Sequence, residues 1–134
     1  MNRYEEAFFK AEGDAYCIYQ LKLTDETARW LFMSSDYLRE HDMEPAYEDY
    51  DAVYSGALPE NGDSRTRMLD ELFMKFNADR PQDFTGRSLS VSDIIILKVR
   101  DAMTAHYVDT IGFAPAWGFL IGMQAAANRE REKA

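Results

Sequence analysis

The chain has 134 residues, of which 46% are hydrophobic and 29% are charged. This length and composition predict one folded domain with its own hydrophobic core, and they exclude a disordered chain. One cysteine excludes an internal disulfide, and no apolar run approaches the roughly 20 residues that a membrane-spanning helix needs. Met1–Lys10 carries two glutamates and is not typical of a secretory signal, so we expect a cytoplasmic protein with no membrane partner.

The first half of the chain carries the whole excess of negative charge. The formal net charge is −9; residues 1–64 hold 15 acidic and 5 basic side chains, whereas residues 65–134 hold 9 and 10. Such a surface repels phosphate backbones, so direct nucleic-acid binding is not expected. The density of acids is highest in Asp36–Asp51 and predicts a docking face for a basic protein partner. The residues assigned to that face are Glu44, Glu48, Asp49 and Asp51. The alternatives are a surface that only keeps the protein soluble and an acidic DNA mimic that inhibits DNA-binding enzymes.

Two strands and a short helix are predicted in the first third of the chain. Ala15–Leu23 is rich in β-forming residues and ends in polar–apolar alternation, which predicts a strand with one buried face. Arg29–Met33 is short and apolar and predicts a second strand paired with the first. Ser34 or Ser35 then caps a brief helix with an acidic first turn, which suits the helix dipole.

A third strand and two longer helices are predicted further along. Tyr47–Tyr54 favours a strand. Asp63 or Ser64 begins the clearest helix, Arg65–Phe76, because apolar residues recur there at helical spacing. These residues are Met68, Leu69, Leu72, Phe73 and Phe76. Trp117–Ala127 predicts a final helix with Leu120, Ile121 and Met123 facing inward.

The stretch Asp83–Phe113 predicts a turn, a strand, a reversal and a second strand. Alternation on the first strand places Ser88, Ser90 and Ser92 on one face, and Leu89, Val91, Ile95 and Leu97 in the core. Asp93 fits a tight turn in which its carboxylate accepts hydrogen bonds from backbone N–H groups. The element order is then β-β-α-β-α-β-β-α. This order predicts an α+β fold with a mostly antiparallel sheet and helices packed on one face.

A catalytic set can be drawn from residue types alone. Ser90, Ser92, His106 and Asp109 would supply a nucleophile, a base and an orienting carboxylate for a hydrolase or transferase. The chain has no GxSxG nucleophile elbow, however, and His106 beside Tyr107 is typical of an ordinary strand residue. We therefore favour a non-enzymatic function and keep the hydrolase or transferase as an alternative.

Metal and cofactor sites are not predicted. The two histidines, His41 and His106, lie far apart, and with one cysteine they give no recognised ligand spacing. The glycines are scattered, and none of the phosphate-cradling loop patterns occurs. We expect neither a bound metal nor a nucleotide cofactor.

Two segments of the second half carry a family resemblance, DFTGRSLSVSDIII at Asp83–Ile96 and AHYVDTIGF at Ala105–Phe113. Together they resemble the YodL-like domain. Similar patterns upstream, including YQLK at 19–22 and YDAVYSGAL at 50–58, extend the likeness over residues 15–115. Residues 117–134 then form a helical extension with a charged tail. The residues that define the resemblance are Gly86, Leu89, Val91, Asp93, Tyr107, Asp109, Gly112 and Phe113, while Arg87 stands where the family often has a histidine.

The resemblance implies a genomic setting rather than a mechanism. The family is found in Bacillota, is abundant on conjugative and other mobile elements, and has no established enzymatic activity. We therefore predict a protein-interaction module of a mobile genetic element that acts through contacts with a protein partner.

Overall fold

A computed structural model describes residues 1–60 and 62–133. Within these residues, five strands and four α-helices follow one another in irregular order. The strands are β1 (Ala15–Leu21), β2 (Tyr50–Ala57), β3 (Ile94–Val99), β4 (Ala102–Val108) and β5 (Phe113–Pro115). The helices are α1 (Arg3–Lys10), α2 (Ser35–Glu40), α3 (Arg65–Ala78) and α4 (Trp117–Lys133). The strands form one sheet in the order β2-β1-β3-β4-β5, and every neighbouring pair is antiparallel. The predicted single α+β domain with an antiparallel sheet is confirmed.

The two central strands are buried along their whole length. β1 and β3 consist almost entirely of apolar residues, and every position in both is buried. A sheet that is covered on one face gives strands with alternating burial, so continuous burial requires a layer on each face. In β1, Cys17 and Tyr19 face one core, and Tyr16 and Ile18 face the other.

The helices are divided between the two faces, whereas the sequence had predicted helices on one face. The first core receives Phe8 from α1, Leu38 from α2 and Phe119 from α4. The second core receives the apolar stripe of α3, which includes Leu72 and Phe76. Because β1 and β3 carry large apolar side chains on both sides, one layer of helices would leave half of them in water.

Side-chain caps begin three of the helices. Asn2 and Glu5 form a capping box at the start of α1. Ser34 accepts a hydrogen bond from Tyr37 N in α2, and Ser64 accepts one from Arg67 N in α3. Both serines were among the predicted caps. In α3, Phe73 is partly exposed, so the inward stripe is narrower than predicted.

The predicted strand at Arg29–Met33 is wrong. Residues Thr27–Arg29 form a 3₁₀ turn, and Trp30 N donates to Thr27 O at 3.1 Å. Trp30 is buried in the first core, while Phe32 has a φ of 68° and an exposed ring. A residue with positive φ cannot continue a strand. The first strand therefore pairs with β2 and β3 instead.

The hairpin predicted in the second half is present but begins later than expected. β3 and β4 pair from Ile94↔Tyr107 to Val99↔Ala102. Arg100 and Asp101, with φ values of 51° and 66°, form the tight connection between them. Residues 86–93 precede the hairpin as loop and turn, and we call them the signature loop. A short fifth strand, Phe113–Pro115, adds an edge to β4 that was not predicted.

Candidate functional site

The signature loop (residues 86–93) lies at the entrance to β3 and is not a strand. The predicted common face for Ser88, Ser90 and Ser92 is therefore wrong: Ser88 is exposed, Ser90 is half-buried and Ser92 is fully buried. Leu89 packs in the second core as predicted, whereas Val91 is only half-buried. Because these residues form a loop and not a strand, their side chains do not alternate between two faces with a period of two.

Gln20 of β1 holds the signature loop against the sheet. Its Oε1 accepts from Arg87 N at 3.0 Å, and its Nε2 donates to Arg87 O at 2.8 Å. The same Nε2 donates to Asp93 Oδ2 at 3.1 Å. The polar–apolar alternation at the end of Ala15–Leu23 would put Gln20 on the exposed face of the strand, but Gln20 is buried. An amide is suited to this position because it offers an acceptor and two donors to the loop backbone and to the carboxylate.

Glycine is required at position 86, the start of the loop, because two side chains lie close to its α-carbon. A β-carbon there would lie 2.7 Å from the Phe84 ring and 2.9 Å from Gln20 Oε1. Any larger residue would push the ring or the amide out of place.

Asp93 closes the turn at the end of the signature loop. Its Oδ2 accepts from Ser90 N at 2.9 Å, in addition to the bond from Gln20. Burial raises the pKa of Asp93 to about 7, although the Ser90 and Gln20 hydrogen bonds and the charge of Arg87 act in the opposite direction. A buried carboxyl group with a pKa near neutrality is therefore enclosed in the loop.

Ser92 is held in a strained and fully buried position. Its φ is 87°, and its Oγ has no hydrogen-bond partner. Its backbone is well anchored, because Ser92 N donates to Val108 O at 3.0 Å and Tyr50 OH donates to Ser92 O at 2.6 Å. The hydroxyl cannot meet a substrate in this conformation because no solvent reaches it.

His106, the candidate base, is bound to another partner. His106 Nε2 lies 2.7 Å from Thr104 Oγ1. Burial, together with the positive charge of Arg65, lowers the pKa of His106 to about 4. The imidazole is thus neutral near pH 7 and a weak base, which is poorly suited to activating a serine hydroxyl.

Asp109 binds the start of α2. Ser35 N donates to Asp109 Oδ1 at 3.1 Å, and the Ser35 hydroxyl donates to Oδ2. Burial favours a higher pKa for Asp109, but the hydrogen bonds from Ser35 and Thr110 outweigh it and lower the pKa. Asp109 therefore joins the β4–β5 turn to α2, and its hydrogen bonds do not orient His106.

The four acids assigned to a docking face lie in two places. Glu44 places its carboxylate against Gly118 in the first turn of α4, where a β-carbon would be only 2.6 Å from Oε1. Glu48 and Asp51 line a cavity of about 390 Å³ together with Lys22. Asp49 is half-buried, and burial, followed by the charges of Glu48 and Glu26, raises its pKa.

An exposed apolar pair on α4 borders the acidic segment. Trp117 is 61% exposed and Ile121 is 66% exposed, so the prediction that Ile121 faces inward is wrong, although Leu120 and Met123 are buried. Gly118 and Gly122 follow these two residues, and a β-carbon at Gly122 would lie 3.1 Å from Tyr47 Cβ. The two glycines let residues 44–47 pack closely on α4, which leaves Trp117 and Ile121 on the adjacent face.

Neither a metal centre nor a membrane span is found in the described part of the chain. Within residues 1–60 and 62–133, no three His, Cys, Asp or Glu side chains are grouped so that they could hold an ion. None of the helices in these residues is both long enough and apolar enough to cross a bilayer.

Comparison with known proteins gave one family. Residues 15–119 match the family model of the YodL-like domain. The matched part contains all five strands together with α2 and α3, whereas α1 and most of α4 lie outside it. Searches of curated proteins and of solved structures returned no match.

Proposed function

The chain belongs to the YodL-like domain family, and from this starting point we propose that it is a non-enzymatic protein-interaction module of a mobile genetic element. The observation that carries the proposal is the exposed apolar pair Trp117 and Ile121 beside the acidic segment that contains Glu44. Exposed tryptophan next to an apolar neighbour is a common anchor in protein interfaces.

The acidic segment that reaches this pair at Glu44 favours a partner of positive charge. Asp36–Asp51 contains seven acids and one basic residue, Arg39, and Arg39 is paired with Asp36. Met43 is also partly exposed and precedes Glu44. A partner that inserts apolar side chains between Trp117 and Ile121 and places lysines or arginines over the acids would match both features. We therefore assign an amphipathic basic helix as the recognised segment.

The hydrolase or transferase alternative receives no support from the arrangement of the candidate set. Ser92 is inaccessible, His106 is bound to Thr104 and Asp109 is bound to Ser35. Catalysis by these residues would require Ser92 to become accessible and His106 and Asp109 to exchange partners.

The two tryptophans make the proposed binding directly observable. Trp30 is buried and Trp117 is exposed, so Trp117 dominates any change in emission when its surroundings become apolar. The protein is titrated with a synthetic amphipathic helix that carries leucine on one face and lysine on the other. A second peptide, in which glutamate replaces every lysine, keeps the apolar face and reverses the charge.

We expect a saturable blue shift with the lysine peptide and none with the glutamate peptide. The shift disappears in Trp117→Phe, and binding weakens about tenfold or more in Ile121→Ser, in line with the loss of one interface anchor. Met74→Ser is the matched control, because Met74 is 69% exposed but lies on α3 in the opposite layer. Equal binding of both peptides, or equal loss in Ile121→Ser and Met74→Ser, would overturn the proposal.

The acids are tested in the same assay. Glu44→Gln is expected to weaken binding of the lysine peptide and to make that binding less dependent on salt, while Glu12→Gln, at an exposed acid far from α4 in sequence, leaves binding unchanged. A lysate pull-down then compares the wild type with Ile121→Ser and Met74→Ser. A partner retained by the wild type and Met74→Ser, and lost by Ile121→Ser, identifies the natural ligand.

A further inference from the structure

α1 is held to the family-matched core by specific polar contacts as well as by packing. The helix precedes residue 15, where the family match begins. Phe8 is fully buried in the first core, and Asn2 Nδ2 donates to Ala52 O on β2 at 2.8 Å. The matched core therefore contains a surface that is complementary to this helix.

Glu5 provides the first polar contact. Its Oε2 accepts hydrogen bonds from Tyr19 OH at 2.9 Å and from Tyr47 OH at 2.5 Å, and its Oε1 accepts from Asn2 N at 3.2 Å. The carboxylate is buried. Tyr19 and Tyr47 both belong to the matched core, so the core presents two hydroxyl donors to a carboxylate on the docked helix.

Lys98 provides the second polar contact, at the other end of the helix. Lys98 lies on β3 and is only 5% exposed. Its ammonium group donates to Phe8 O at 2.7 Å and to Ala11 O at 2.9 Å, and it lies 5.0 Å from the centre of the Phe8 ring. The C-terminal carbonyls of a helix carry partial negative charge, which a buried cation stabilises. Without α1, this lysine would have neither carbonyl.

The helix depends on this surface for its structure. With 8 residues, α1 is shorter than the roughly 12–15 residues at which isolated helices become even marginally stable in water. Glu12 and Gly13 are exposed and join α1 to Asp14, which is fixed to the core because Leu58 N donates to Asp14 O at 2.9 Å. The connection is thus short and exposed, and it is separate from the contacts at either side.

We propose that the surface formed by Tyr19, Tyr47, Ala52 and Lys98 is a helix-binding groove, and that α1 of a second copy of this chain occupies it in exchange for the copy's own α1. The product is a dimer in which each α1 docks on the other core. The bonds of Glu5 with Tyr19 and Tyr47, and those of the Phe8 and Ala11 carbonyls with Lys98, are then made between chains instead of within one. The exchange therefore costs little in contact energy and is driven by concentration.

Complementation between two full-length variants tests the exchange. In the first variant, Glu5→Gln and Phe8→Ala weaken the helix and leave the groove intact. In the second, Lys98→Met and Tyr19→Phe weaken the groove and leave the helix intact. Neither variant alone contains a matched helix and groove, but a mixture contains one matched pair between chains.

We expect native mass spectrometry and light scattering to show a heterodimer in the mixture and monomers in each variant alone at the same concentration. A mixture that stays monomeric, while circular dichroism shows both variants folded, would overturn the proposal. If a double variant does not fold, the single variants Glu5→Gln and Lys98→Met replace it in the same experiment.

A peptide of residues 1–11 with a fluorescent label gives an independent measurement. It is expected to bind the Glu5→Gln, Phe8→Ala protein saturably, since that protein has an intact groove and a weakened helix of its own. The same peptide with Glu5→Gln is expected to bind at least tenfold more weakly. Equal binding of the two peptides would show that the groove does not recognise the carboxylate and would contradict the proposal.

Discussion

Gln20 and Asp93 are 73 positions apart in the chain, and Gln20 Nε2 donates to Asp93 Oδ2 at 3.1 Å in the buried interior. Together with the two bonds between Gln20 and the Arg87 backbone, this contact ties β1 to the loop that leads into β3. β1 and β3 are neighbours in the sheet, so the amide fixes the entry of the chain into the centre of the fold.

Replacement of Gln20 by leucine is expected to destabilise the protein. The volume is nearly kept, but three hydrogen bonds are lost and the Asp93 carboxyl loses a buried partner, which predicts a fall of about 2–4 kcal/mol in the free energy of unfolding. Urea unfolding measures the effect as a lower midpoint with an unchanged slope. Gln82→Leu is the control, because Gln82 is exposed in the preceding loop. Similar midpoints for the two variants would contradict the role of Gln20.

Asp93 is expected to make stability fall as the pH rises. Its pKa in the folded protein is about 7, above the ordinary value of 3.8, so between these values the folded state binds a proton that the unfolded state has released. The contribution of Asp93 is therefore fully present below pH 3.8 and is lost as the pH rises through 7. Asp93→Asn keeps an acceptor for Ser90 N and Gln20 Nε2 and removes the titration.

The free energy of unfolding is measured from pH 4 to pH 8 for the wild type and for Asp93→Asn. This range includes the folded-state pKa of Asp93, which is about 7. The difference between the two proteins should shift steadily in favour of the variant as the pH increases. A difference that does not change with pH would show that Asp93 titrates alike in the folded and unfolded chains.

His106 is expected to have the opposite effect, so that stability falls as the pH falls. Its pKa is lowered from 6.5 to about 4, so within this window the unfolded chain binds a proton that the folded chain does not. Stability due to His106 is present above pH 6.5 and is lost as the pH falls through 4. His106→Gln removes this dependence, and NMR titration of the ring protons should give a midpoint near pH 4. A midpoint at the ordinary value would contradict the burial of the ring.

Elements with a clear local period were predictable from the sequence. β1 and the β3–β4 hairpin lie within the apolar, β-forming runs that predicted strands, although the hairpin begins only at Ile94. α3 lies where the helical stripe placed it, because its burial on one face repeats at a fixed spacing. Arg29–Met33 was not predictable in this way. A short apolar run fits a strand and a buried turn equally well, and only the positive φ of Phe32 and the burial of Trp30 distinguish them.

The candidate surfaces depend on contacts between distant parts of the chain, which no local pattern reveals. The alternating serines suggested a strand, but the bonds from Gln20 and from Tyr50 hold the signature loop in another conformation. Ile121 fits the inward stripe of a helix by spacing, yet residues 44–47 take the position beside Gly118 and Gly122 and leave Ile121 outside. One available signal was the pair of glycines four positions apart, which is typical of close backbone approach.

Ser92→Gly is expected to stabilise the protein. The φ of 87° is unfavourable for serine and accessible to glycine, and the buried Oγ has no partner to lose. Relief of the backbone strain and removal of an unpaired hydroxyl outweigh the greater chain entropy of glycine in the unfolded state, which predicts a gain of about 1 kcal/mol. The control is Ser88→Gly in the same loop, where the side chain is exposed and φ is not positive.

At position 88 only the greater entropy of glycine in the unfolded chain changes the stability. Thermal unfolding should therefore show a higher midpoint for Ser92→Gly and an unchanged or lower one for Ser88→Gly. A loss of stability in Ser92→Gly would mean that the hydroxyl has a stabilising role that its buried, unpaired position does not reveal.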